Sequence, residues 1–203
     1  YNITVVAELD ERREAVSAIR KLYKLDEDNI TIREPLATGL YNMTVGAELE
    51  EKRAAVSAIR KLYELDEDNI TIRERLAMGL CNMTVGAELE EAREAVSAIR
   101  ELYKLDEDNI TIREYLAKGL YNMTVVAKLD ERREAVSAIR KLYKLDEDII
   151  AIREQLAKGL YNMTVGAELD EKREAVLKEL SGLRDRWPED EVWELDAWDQ
   201  IFS

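Results

Sequence analysis

The side chains that most often carry enzyme chemistry are almost missing from this chain of 203 residues. It has no histidine, and Cys81 is its one cysteine. This composition excludes disulfide frameworks, histidine-based triads, imidazole general bases and most zinc sites. Carboxylates are plentiful, but each recurs in successive repeats, so no two of them stand apart as an acid–base pair. We therefore predict a protein that is not an enzyme, with no catalytic, cofactor-binding or metal-binding residue.

Asparagine amides form the first candidate site. One asparagine recurs every 40 residues, at Asn2, Asn42, Asn82, Asn122 and Asn162. Because each amide can both donate and accept hydrogen bonds, a row of them could hold the backbone of an extended peptide. The alternative is that duplication copied one structural asparagine, which a neighbouring helix satisfies.

Positions at which the repeats differ form the second candidate site. They fall at two places three residues apart, so their side chains share one helix face with Asn42. The first place holds Pro35, Arg75, Tyr115 and Gln155, and the second holds Thr38, Met78, Lys118 and Lys158. We predict that these side chains give specificity for a bound peptide, with Arg75, Tyr115 and Lys118 the strongest contributors. The alternative is neutral drift on an exposed face.

Charge and hydropathy limit the classes of partner. The 44 acidic and 30 basic residues give a net charge of −14 at pH 7, whereas nucleic-acid-binding proteins need a cationic footprint. No apolar run is long enough to cross a membrane, and no signal peptide is visible. We predict a cytoplasmic protein whose partner is a basic or neutral protein or peptide, not nucleic acid or a membrane.

The candidate residues recur because the sequence repeats itself. Similar blocks begin at Tyr1, Tyr41, Cys81, Tyr121 and Tyr161. The last block departs from the pattern after Val176. A fixed period without glycine- or proline-rich linkers predicts an all-α solenoid, in which units too small to fold alone stack on their neighbours. Gene duplication and a consensus-style design both explain the near-identity of the blocks.

Each block encodes two helices. Apolar residues at helical spacing predict helix B over Leu9–Leu25. Helix A is predicted to begin within Asp28–Thr31, after an acidic turn, and to end near Glu48. Alternation in Met43–Leu49 would also suit a strand, which we reject because the apolar stripe of helix A runs into that segment without a break. The glycines of predicted helix A, among them Gly39 and Gly46, indicate close approach of a neighbouring helix.

The segment Leu102–Ala117 resembles the junction between tetratricopeptide repeats. Small, large and leucine positions of that family's second helix match Ala15, Ile19 and Leu25, and positions of its first helix match Leu36, Ala37 and Leu40. The chain departs from the family at Leu22, Glu27 and Arg33, and its period is 40 where the family has about 34. The resemblance implies a right-handed superhelix of antiparallel helix pairs whose A helices line a concave, peptide-binding face. An armadillo- or HEAT-type solenoid is the structural alternative.

The two ends of the array differ from its middle. Tyr1 aligns with Tyr41, halfway along helix A, so the first helix is predicted to be truncated. We predict a right-handed solenoid of about eleven helices, counting the truncated one, with the repeats in residues 1–187. Its open end would allow stacking on a second copy. Residues 188–203 are predicted to form a capping or docking helix, with Trp193, Trp198 and Phe202 available for self-association.

These observations favour a non-enzymatic scaffold for protein–protein interaction. Its predicted partner is a peptide or segment of another protein, bound by the asparagines and the varied positions of the helix-A face. The alternative is a structural or self-associating array with no dedicated ligand. Neither function requires a cofactor.

Overall fold

The computed structural model describes residues 9–27, 29–164, 171–190 and 193. Every element longer than a single turn in this part of the chain is an α-helix, which confirms the all-α prediction. In chain order the helices are α1 Leu9–Leu25, α2 Ile30–Thr44, α3 Leu49–Glu64, α4 Ile70–Met83, α5 Leu89–Leu105, α6 Ile110–Val126, α7 Leu129–Leu145, α8 Ile150–Thr164 and α9 Glu171–Arg186.

Helices A and B alternate as the sequence predicts. The helix-B segments are α1, α3, α5 and α7, and α1 has the predicted bounds Leu9–Leu25. The helix-A segments are α2, α4, α6 and α8, and α2 begins at Ile30, within the predicted range. Connections of a few residues join consecutive helices, which is the usual arrangement of antiparallel neighbours.

The chain divides into two compact units, residues 1–116 and 117–203, with the division inside α6. In the first unit α1 packs on α2, α2 on α3, α3 on α4 and α4 on α5. Helix α2 also packs on α4, the helix A of the following repeat. In the second unit α7 packs on α8 and α8 on α9. Within each unit this succession of neighbouring contacts is solenoid-like, as predicted.

The core lies between the apolar face of each helix B and the helices A beside it. In α3, a helix B, this face contains Val56, Ile59 and Leu62, and the helix A α4 contributes Ile72 and Leu80; all five are buried. Burying one such side chain stabilises the fold by roughly 1.5–3 kcal/mol. Both helices of the repeat therefore contribute to its core.

Two apolar residues at the helical spacing of helix B lie outside the core of the first repeat. Leu22 and Leu25 are both exposed. The equivalents of Leu22 in later repeats, such as Leu62, are buried, whereas the equivalents of Leu25, such as Leu65, are exposed like Leu25 itself. Leu25 is the last residue of α1 and is 83% exposed. The leucine that resembles a signature position of the tetratricopeptide helix thus lies outside the core.

Helix A ends earlier than predicted, because one glycine adopts a turn conformation. Helix α2 ends at Thr44 and not near Glu48, and Gly46 follows with φ +73°. Helix α4 ends at Met83, and Gly86 has φ +79°. This backbone region is open to glycine and costly for other residues. Rejection of a strand is confirmed, since residues 43–49 form helix and turn only.

Glycines inside helix A do mark close helix contacts, as predicted. A Cβ atom on Gly39 would lie 3.0 Å from Cγ2 of Val16 on α1, and one on Gly79 would lie 3.0 Å from Cγ2 of Val56. The same contact in the second unit would place a Cβ of Gly159 3.1 Å from Val136. No spare room exists there for a methyl group, so these glycines allow the two helices of a repeat to touch.

Two predicted terminal features lie outside the described residues. They are the truncated helix at residues 1–8 and most of the predicted helix at 188–203, including Trp198 and Phe202. Among the described helices, none combines the length and the apolar character needed to cross a lipid bilayer.

Candidate interaction surfaces

Varied positions of the first unit come together around Arg75. Its Nε donates a hydrogen bond of 3.2 Å to Oγ1 of Thr38, and its Nη1 lies 3.1 Å from the sulfur of Met78. Its guanidinium carbon lies 5.7 Å from the centroid of the Tyr41 ring, within range of a cation–π contact. Arg75 is therefore in direct contact with two other residues of the varied set, Thr38 and Met78.

Tyr115 joins the same group from the start of α6. A hydrogen bond links it to Tyr41, and its half-buried position raises the pKa of its hydroxyl because burial disfavours the phenolate. The short, fully buried Cys81 is close enough to Tyr115 to affect the same pKa. We call Tyr41, Arg75, Met78 and Tyr115 the arginine–tyrosine cluster. Met78 is buried and the other three are half-buried, so the predicted exposed face is partly covered.

The recurring asparagines tie successive A helices together. Nδ2 of Asn82 donates a 2.8 Å hydrogen bond to Oγ1 of Thr44, which itself donates to the carbonyl of Tyr41. In the second unit Asn162 makes the same 2.8 Å bond to Thr124. Both threonines are buried. The structural role that the sequence left open thus accounts for Asn82 and Asn162, while peptide binding by Asn42, Asn82, Asn122 and Asn162 stays a prediction.

Three predicted specificity residues belong to the second unit. Lys118 is exposed, Gln155 is half-buried, and Lys158 lies 3.4 Å from Glu154 one helical turn away. An ion pair of this kind contributes at most about 0.5 kcal/mol. The arginine–tyrosine cluster belongs to the first unit.

Arg33, which the sequence marked only as a departure from the tetratricopeptide pattern, links neighbouring turns. Nη2 of Arg33 donates to the carbonyl of Glu27 in its own turn, and Nη1 donates to the carbonyl of Leu65 in the next one. Arg73 repeats this by donating to the carbonyl of Glu67 and lying 3.7 Å from Asp106. The sequence did contain a signal for this role, because the arginine recurs at one position in each repeat.

A second set of asparagines caps helix A. The side chain of Asn69 accepts a hydrogen bond from the N–H of Ile72, which satisfies one free donor at the start of α4. The same amide donates 3.0 Å to Glu34 of the preceding repeat. Asn109 caps α6 and donates 3.1 Å to Glu74 in the same way. The sequence predicts the start of helix A in this region, and the structure adds the capping side chain and its link to the preceding repeat.

The C-terminal turn supplies a different partner to the last arginine of this series. Arg153 and Asp190 form two parallel bonds of 2.7 and 2.8 Å, and each side chain is only 4% exposed. The guanidinium also stacks 3.8 Å from the centroid of a Trp187 ring. The indole N–H of Trp193 donates 2.8 Å to the carbonyl of Trp187. These contacts favour the capping interpretation for the part of the C-terminal segment that the structure describes.

An open groove of about 630 Å³ lies on the helix-B side, between α3 and α5. Leu80 and Met83 line it together with Arg53, Arg60 and Glu91. Arg53 bonds both oxygens of Glu91 at 2.7 and 2.9 Å, and this hydrogen bonding lowers the pKa of the Glu91 carboxyl and raises that of Arg53. In the part of the chain that the structure describes, no cluster of three or more His, Cys, Asp or Glu side chains is arranged to hold a metal ion.

No family model, no curated protein and no solved structure matches this chain. The resemblance to tetratricopeptide repeats therefore stays a prediction that rests on the residues quoted above.

Proposed function

We propose that the protein is a non-enzymatic interaction scaffold whose first unit binds a peptide or partner segment at the arginine–tyrosine cluster. The observation that carries the proposal is the direct contact between Arg75, Tyr41 and Met78, with Tyr115 bonded to Tyr41. Tyrosine, arginine and methionine are the side chains enriched at the centres of protein interfaces.

The order already present in the cluster supports this proposal. Arg75 is held by Thr38 and Met78, and Tyr115 is held by Tyr41, so their rotamers are restricted before a partner arrives. Each side chain that binding would otherwise immobilise costs about 0.5–1.5 kcal/mol. Binding of a partner at this cluster therefore loses little further side-chain entropy.

The proposal is tested with a peptide that is selected from a random displayed library for binding to the immobilised full chain. We expect Arg75→Ala to weaken binding of that peptide by at least about tenfold, since interface centres lose more than 1 kcal/mol on truncation. Arg60→Ala, on the helix-B side, is the matched control and should leave the dissociation constant unchanged. Equal affinities for the wild type and Arg75→Ala would contradict the proposal, once circular dichroism shows both chains folded.

Self-association is the second candidate, and one observation favours it. Leu22 on α1 is 56% exposed, while its equivalents Leu62, Leu102 and Leu142 are buried. A second copy of the chain could cover this face. Sedimentation velocity of the wild type beside Leu22→Glu discriminates the two functions: a mass above the monomer that falls in the variant supports self-association, and a monomer at high concentration rejects it.

A further inference from the structure

The turns that join helix B to helix A lie side by side in the first unit. Asn69, at the start of α4, bonds Glu34 in the first turns of α2, and Asn109 bonds Glu74 in the same way. Arg33 reaches the carbonyl of Leu65. These bonds place the turns of successive repeats next to one another along one edge of the unit.

Each of these turns carries two exposed, large apolar side chains. Leu65 and Ile70 flank one turn and are 57% and 54% exposed, and Leu105 and Ile110 flank the next and are 63% and 52% exposed. We call these four residues the turn edge. The fold does not require apolar groups here, because Leu65 and Leu105 stand at the ends of their helices and the ends of helices accept polar residues readily. A row of exposed apolar side chains is typical of an interaction surface.

Charge on the turn edge restricts what it can bind. Exposed carboxylates lie between each apolar pair, at Glu67, Asp68, Glu107 and Asp108. The nearby guanidinium of Arg73 bonds a backbone carbonyl and lies beside Asp106, so it does not neutralise them. A partner must therefore bring both apolar groups and positive charge.

We propose that the turn edge docks a basic amphipathic segment of another protein. Its apolar side chains contact Leu65, Ile70, Leu105 and Ile110, and its lysines or arginines face the carboxylates between them. Opposite charge steers the encounter and suppresses acidic competitors, while the apolar contacts hold the complex. This surface is separate from the arginine–tyrosine cluster, and the proposal does not depend on it.

The test uses the full chain and a fluorescent synthetic peptide of alternating lysine and leucine. We expect Leu65→Ser with Leu105→Ser to weaken its binding at least about tenfold by fluorescence anisotropy. The matched control is Val45→Ser with Val85→Ser, which removes exposed apolar groups at the other end of the helices and should change affinity little. Glu67→Gln with Glu107→Gln should weaken binding at low salt and reduce its salt dependence.

Two further measurements can overturn the proposal. A lysine–serine peptide that binds as tightly as the lysine–leucine peptide would show that charge alone is read. Equal losses in both serine pairs would show that the apolar contacts are not specific to the turn edge. Sedimentation of the protein without peptide tests whether a second copy of the chain covers the turn edge. If the wild type is a dimer and Leu65→Ser with Leu105→Ser is a monomer, the turn edge is assigned to that second copy. The proposal is supported if the wild type and Leu65→Ser with Leu105→Ser are both monomers and only that variant, not the valine control, binds the peptide more weakly.

Discussion

Arg153 and Asp190 are the most completely buried ion pair in the described part of the chain. Their attraction must offset the loss of hydration of both charges, and the two-point geometry with the Trp187 stack makes that offset feasible. Removing one partner leaves the other charge buried and unpaired, which is far more costly than losing an exposed pair.

Asp190→Asn should therefore destabilise the second unit by about 3 kcal/mol. Glu189→Gln is the matched control, since its side chain is exposed one residue away and should change stability by less than about 0.5 kcal/mol. Urea unfolding followed by circular dichroism measures both. Similar unfolding free energies for the two variants would mean that the pair contributes no more than an exposed one.

At the residue scale, the sequence revealed positions but not their partners. Arg75 and Tyr115 were singled out because they differ between repeats, and the structure places Arg75 in contact with Thr38 and Met78. Asn82 was singled out because it recurs, and it proved to bond Thr44 of the preceding repeat. Periodicity gives the face of a helix on which a residue lies, whereas the atom it meets depends on how two repeats pack.

At the element scale, one glycine inside α2 and one in the turn after it are glycine for different reasons. Gly39 leaves room for Val16 of α1, while Gly46 adopts a φ that other residues avoid. Position 126 provides an internal comparison, because valine stands there in place of the glycine and α6 continues to Val126. The same residue type at two places therefore required two explanations, and only the first could be deduced from the apolar pattern.

Gly46→Ala should destabilise the protein by about 1 kcal/mol, because alanine pays for a positive φ. Gly182→Ala is its control: no atom lies within 4 Å of the added Cβ, and its φ is ordinary, so it should stabilise α9 by up to about 1 kcal/mol. Thermal unfolding of the two variants should shift in opposite directions. A gain in stability for Gly46→Ala would remove the turn conformation as the reason for the glycine.

Helix B was predictable to the residue in α1, because its polar and apolar faces alternate with helical period and an acidic turn follows. The start of helix A was predictable to within a few residues, but its capping asparagine was not, since the range Asp28–Thr31 contains more than one residue type that caps helices. The fold class followed from the repeat itself. Exposure of Leu65 could not be deduced, because it lies three residues after the buried Leu62 and fits the same helical spacing, so only the packing of neighbouring helices separates the two.

At the scale of the whole molecule, the net charge of −14 opposes the folded state through repulsion between carboxylates. Added sodium chloride screens that repulsion over a Debye length of about 10 Å at 0.1 M. We expect the melting temperature to rise from low to moderate salt, and Glu67→Gln with Glu107→Gln to show a smaller rise. A melting temperature that falls with salt would mean that favourable ion pairs such as Arg53–Glu91 outweigh the repulsion.

The arginine contacts between turns all run in the same direction along the chain. Arg33 and Arg73 each reach forward to the repeat that follows, and in both the Nε atom lacks a hydrogen-bond partner among the described residues. Arg153 meets Asp190 instead, and its Nε is bonded. A block appended after Asp190 would meet Arg153 already paired, and would repeat the forward link only by displacing Asp190 from that arginine.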